Sequence, residues 1–126
     1  MLDNEELELN PINKKFELLV QILNDEILGG YGEITLFDNN PRTMMLCSEE
    51  RPNMLICFLY STGHLTITLK YKFWQRELVC EKQFPYLRDL TDLRQQDIAN
   101  EFIEMSTAKI LEHQKKVNSE LFGGYF

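Results

Sequence analysis

The 126 residues carry 20 acids against 13 bases, a net charge of −7, with 44% hydrophobic and 11% aromatic side chains. That much apolar material in a chain of one-domain length supports a core and excludes wholesale disorder. The acidic balance argues against general phosphate-backbone binding, which needs a basic footprint.

Residues 1–9 open the chain as an acidic arm, "MLDNEELEL", where a signal peptide needs a basic and then an apolar run. Asn10 and Pro11 then read as an N-cap and first helical position. Ile12, Phe16, Leu19, Val20, Leu23 and Ile27 recur at helical spacing, with Lys14, Lys15, Glu17, Gln21 and Asn24 pointing elsewhere. Gly29 and Gly30 stop this helix, expected over 11–28.

From Tyr31 to Phe84 the period falls to two, and turn signals arrive at strand-length intervals. "YGEITLFD" is expected to end at Asn39-Asn40-Pro41, and "RTMMLCS" at the turn Glu49–Asn53. "MLICFLY" is apolar in both phases of its alternation. Ser61-Thr62-Gly63 turns it into "HLTITLKYKFW", which alternates cleanly: Leu65, Ile67, Leu69, Tyr71 and Phe73 on one side; His64, Thr66, Thr68, Lys70, Lys72 and Trp74 on the other. Gln75 and Arg76 break the pattern before "ELVCEKQF". Short connections throughout predict an antiparallel meander.

A second helix is expected over 92–117, with Asp92 and Gln95 as a capping-box pair. Ile98, Ala99, Phe102, Ile103, Met105, Ser106, Ile110 and Val117 form its inner face, which thins after Leu111, where the final turns are expected to protrude. Residues 119–126 read as a tail containing a second Gly-Gly stop. The resulting expectation is one α+β domain spanning 1–126, a two-layer α-β-β-β-β-β-α sandwich with both helices on one sheet face. The apolar residues of "MLICFLY" place part of themselves on the other face whichever phase turns inward, to be covered by the N-terminal arm, the C-terminal tail or a second subunit, shielded by large neighbours such as Phe37 and Trp74, or left as a patch for a partner.

Chemistry is sparse. His64 and His113 fall on separate elements, with no His pair at i, i+4 and no metal-ligand spacing. No serine lies in G-x-S-x-G, and "GGYGE" precedes a strand, whereas a phosphate loop precedes a helix. Cys47, Cys57 and Cys80 are odd in number and lack C-x-x-C, so neither a disulfide framework nor a zinc site is expected. No catalytic residue, metal or other cofactor is expected. With no run of about 18 apolar residues there is no membrane span, and a cytoplasmic location is expected. Partner-binding candidates are Lys70, Lys72 and Trp74 on the polar phase of the fourth strand, and Asp97, Glu101 and Glu104 on one stripe of the second helix.

In size, charge and element order the chain resembles the small acidic immunity proteins of bacterial polymorphic toxin systems. The likeness rests on no motif, so no residue role carries over. It implies a non-catalytic domain that binds and neutralises a cognate toxin, with acidic side chains meeting a cationic partner. The chain is also similar to class I secretion chaperones, which implies a homodimer binding an extended effector segment, but it lacks their intervening dimer helix. A third reading, from a different class, is a small-ligand domain with a pocket between sheet and helices.

Overall fold

The computed structural model describes residues 11–37, 39–85, 87–88 and 90–123. The elements in order are α1 (Ile12–Lys15), α2 (Glu17–Ile27), β1 (Glu33–Phe37), β2 (Asn40–Cys47), β3 (Met54–Ser61), β4 (His64–Phe73), β5 (Arg76–Phe84) and α3 (Asp92–Phe122). The five strands form one antiparallel meander in the order β1-β2-β3-β4-β5. The three described helices lie on one face, so the fold is the two-layer α+β sandwich that the alternating and helical periods predict. The acidic arm, Asn10 and the last three residues lie outside the described residues.

The core is the inward phase of each strand closed by the helical stripes. Met44 and Leu46, then Ile56, Phe58 and Tyr60, then Leu65, Ile67 and Leu69 are fully buried, with Cys80 completing the sheet's contribution. Phe16, Leu19, Leu23, Ile98, Ala99 and Phe102 meet them from the helices. Phe16 sets its ring edge against Tyr60 at 5.3 Å. Thus "MLICFLY" turns Ile56, Phe58 and Tyr60 inward and leaves Leu55, Cys57 and Leu59 on the far side.

The first helix is not the single rod expected over 11–28. It breaks at Phe16, where φ is −110° and ψ 27°. Leu19 N–H, which in an unbroken helix would bond the Lys15 carbonyl, instead donates to Gln95 Oε1 at 2.8 Å. Gln95 Nε2 reaches back to the Lys15 carbonyl at 3.5 Å. An amide from α3 is thus inserted into the backbone ladder, a recognised cause of helix kinks. The cap of α3 is Thr91, whose side chain accepts from Arg94 N–H at 3.1 Å. Gln95 therefore serves the first helix and not the capping box expected with Asp92.

Lys15, read as outward, is buried, with its ammonium donating to the Arg88 carbonyl at 3.0 Å and standing 5.2 Å from the Tyr60 ring centre. The helix stop at Gly29 and Gly30 is as expected, with φ +66° and +86°. Arg51 donates to the Ile27 carbonyl there, placing a cation at the negative end of α2. Asn24 exchanges two hydrogen bonds with the Gly32 backbone, at 2.8 and 3.1 Å, and so fixes the path from helix to β1.

Two strand boundaries move. Asn40 and Pro41 belong to β2, with Asn40 opposite Phe37 across a register shift. An irregularity in the ladder is a place where proline's missing donor is tolerated. At the other hairpin, Phe73 pairs with Arg76, so Trp74 and Gln75 are the turn itself, with φ +50° and +63°. Finally, α3 runs to Phe122 and is capped by Gly123 in the left-handed conformation. Its last turns do not protrude: Val117 is buried, Gln114 donates to Tyr71 Oη at 2.9 Å, and Phe122 packs edge-on to Trp74.

Candidate functional site

Cross-strand register lays out the sheet face opposite the helices in rows. One row reads Glu33, Cys47, Leu55, Lys70, Val79, and the next reads Thr35, Met45, Cys57, Thr68, Glu81. A third carries Thr43, Leu59, Thr66 and Gln83. Met45, Cys47, Leu55, Cys57 and Leu59 therefore form an apolar centre on β2 and β3. Charges of both signs ring it: Glu33 on β1, Lys70 and Lys72 on β4, Glu77 and Glu81 on β5. Among the described residues, no helix lies over this face. Leu59 remains 46% exposed and Val79 48%.

At the end of the sheet that carries the β2–β3 and β4–β5 turns the surface dips into a cavity of about 280 Å³ bordered by Pro52, Asn53, Leu55, Lys70 and Lys72. The backbone there is fixed, since Lys72 N–H donates to the Asn53 carbonyl at 2.9 Å and Asn53 Nδ2 returns to the Lys72 carbonyl at 3.2 Å. Pro52, Asn53, Lys72 and Trp74 line an adjoining depression. The structure thus brings Lys70, Lys72 and Trp74 to one end of the molecule. Trp74, however, leaves the polar phase of β4 for the turn and leans on Phe73 and Phe122.

Asp97, Glu101 and Glu104 lie on the exposed side of α3, in the opposite layer from the lysines. The six candidates do not form one site. Glu101 is engaged with Lys82 at 2.8 Å, tying α3 to β5. With both side chains a third to a half exposed, this bond contributes little to stability.

The three thiols are free. Burial pushes the Cys57 thiol up, against the pull of nearby Lys70 and with the support of Cys47. Burial likewise raises Cys80, against Lys109. Both are held in the thiol form, which is the unreactive state. His113 is positioned by structure: its Nε2 lies 2.9 Å from the Arg76 carbonyl and its ring is edge-on to Tyr71. Among the described residues, no three His, Cys, Asp or Glu side chains are grouped to hold a metal ion, and no helix is long and apolar enough to cross a membrane.

Sequence reading did not single out Ile34 and Leu36. Both share the helix-covered side of the sheet with their partners Leu46 and Met44, yet they stay 44% and 48% exposed. Leu36 and Phe37 border a cavity of about 220 Å³ with Pro11, Ile12 and Pro41. Comparison of the chain with known protein families, with curated proteins and with solved structures gives no match in any of the three.

Proposed function

We propose that this chain is a non-catalytic protein-binding domain, and within that class a stoichiometric inhibitor of the immunity type that neutralises a cognate toxin. The observation that carries the binding reading is the apolar centre Met45, Leu55, Cys57 and Leu59 on a sheet face that none of the described helices covers. Contiguous apolar surface rimmed by polar residues is how partner sites are commonly built. The net charge of −7 favours approach of a cationic partner, and the mixed-sign rim offers Lys70, Lys72, Glu77 and Glu81 for pairing on contact. The exposed acids Asp97, Glu101 and Glu104 then act on the approach more than in the docked interface.

The test uses a protein captured from the native organism and purified in complex with this chain. Leu55→Asp and Leu59→Asp are expected to weaken that complex by at least about 30-fold, since each buries an unpaired charge at the interface. Both should leave the melting temperature of the free chain within a few degrees. Co-expression of the chain is expected to abolish the partner's toxicity at one-to-one stoichiometry. A complex indifferent to both substitutions rejects the open face as the site, and a partner harmless to cells rejects the inhibitor reading.

A further inference from the structure

We infer that two copies of this chain pair through their β1 strands, antiparallel across a two-fold axis at Thr35, to make one continuous ten-stranded sheet. The occupant of the β1 edge follows from hydrogen-bond parity. In a two-residue hairpin the flanking residues form a hydrogen-bonded pair, and the direction of bonding alternates along each strand. Ser61 and His64 flank the Thr62-Gly63 turn. Counting back from Ser61, the odd positions of β3 bond β4 and the even ones bond β2. Phe58 and Ile56 therefore bond Met44 and Leu46, leaving Met45 and Cys47 to bond Thr35 and Glu33. The amides and carbonyls of Ile34 and Leu36 consequently face outward along the β1 edge, where no further strand lies among the described residues.

The same count at the opposite edge turns the backbones of Glu77, Val79, Glu81 and Gln83 outward from β5. Two carboxylates guard that edge, and α3 packs beside it, both of which deter strand addition. On β1 the only charge is Glu33. The pattern of β1 is also self-complementary. With Thr35 on the axis, Ile34 faces the partner's Leu36 as a hydrogen-bonded pair, Thr35 faces the partner's Thr35, and Glu33 faces the partner's Phe37. No like charges are opposed, and threonine pairs and aliphatic pairs are favourable cross-strand neighbours. The exposed flanks of Ile34 and Leu36 cover each other across the axis. The open outer face of each copy is left free, so this dimer is independent of the docking surface above.

Five residues a side make a small interface, so dimerisation is expected to be concentration-dependent, with dimer detectable by sedimentation equilibrium below about 0.5 mM. Because each copy carries −7, the association is expected to tighten as salt rises from about 20 to 300 mM. Ile34→Pro removes an amide that faces the free edge and Leu36→Lys places a charge opposite Ile34; each is expected to lower the association constant at least tenfold with the far-ultraviolet dichroism unchanged. Where Ile34→Pro fails to fold, Leu36→Lys carries the test alone. In a Cys47→Ser, Cys57→Ser background, Thr35→Cys is expected to oxidise to a disulfide-linked dimer. Glu33→Cys is not, because its symmetry mate lies roughly 13 Å away along the strand. A chain that stays monomeric throughout overturns the proposal, as does a dimer insensitive to both edge variants. So does a monomer whose Ile34 and Leu36 amides gain exchange protection only with a different protein bound.

Discussion

Replacing Gln95 with leucine keeps the buried volume of the side chain and removes only its amide. Gln95 is 6% exposed and Leu19 fully buried, so water cannot replace the lost acceptor. The 2.8 Å bond from Leu19 N–H is the strong one, and the 3.5 Å approach to the Lys15 carbonyl adds little. Leaving one buried donor unsatisfied costs about 1–3 kcal/mol. For a chain of this size that is a fall in melting temperature of about 4 °C per kcal/mol. Denaturant unfolding should show a lower midpoint with an unchanged slope, and the Leu19 amide should lose exchange protection relative to Leu23. The cost could be reduced by closing the break, with Leu19 N–H returning to the Lys15 carbonyl; the helix would then straighten and Phe16 would leave its place against Tyr60. Gln95→Leu within 0.5 kcal/mol of the parent, with Leu19 still protected, refutes the inserted-amide account. Gln95→Glu supplies a check of sign. Burial raises the carboxyl pKa, so relative to the parent this variant is most stable below about pH 4 and loses stability as pH rises through its folded pKa.

Gly32→Ala is expected to destabilise by about 1–3 kcal/mol in denaturant unfolding, because the added Cβ would stand 2.7 Å from Asn24 Oδ1 and 2.8 Å from Leu28 Cδ1. Gln75→Gly relieves a left-handed residue in the β4–β5 turn and should stabilise by about 1 kcal/mol. Trp74→Gly relieves similar strain but loses the 5.6 Å edge contact with Phe122, so its melting temperature should not rise above that of Gln75→Gly. The Cys80 thiol is raised from 9.0 by burial, so the unfolded chain ionises first and stability declines as pH climbs past about 9. Cys80→Val should remove that part of the decline, measured as the difference between the two unfolding curves.

The meander was legible because its signals are local. Period-two alternation in "HLTITLKYKFW" fixes which side of β4 is buried, and Thr62-Gly63 fixes its hairpin. Misreadings fall where a distant residue overrides a local rule. Gln95 sits three positions after Asp92, which is capping-box spacing, but its partner is Leu19, 76 residues away. Lys15 is charged and falls off the apolar stripe, yet the Arg88 carbonyl and the Tyr60 ring receive it. Trp74 and Gln75 have no composition that announces a turn needing positive φ, since such turns usually carry Asn-Gly. Trp74 is packed edge-on against Phe73, its neighbour in β4, and against Phe122 at the far end of α3, a contact that local sequence does not encode.

The open β1 edge follows from dimensions that the element order already contains. Five strands at about 4.8 Å spacing set their outer axes roughly 19 Å apart. Two packed helices, at 8–10 Å between axes, roof about four strands. Two such helices therefore cover an edge strand of an α-β-β-β-β-β-α sandwich less fully than its neighbours. Which one depends on tertiary contacts that periodicity does not encode: α1 packs on β2, while α3 packs on both β4 and β5. With α3 seated on β4 and β5 and running past Tyr71 to Trp74, β1 is the strand with the least cover from the described helices. Ile34 and Leu36 then carry core-type side chains that remain 44% and 48% exposed. A second copy of the same edge supplies further cover without adding any new element.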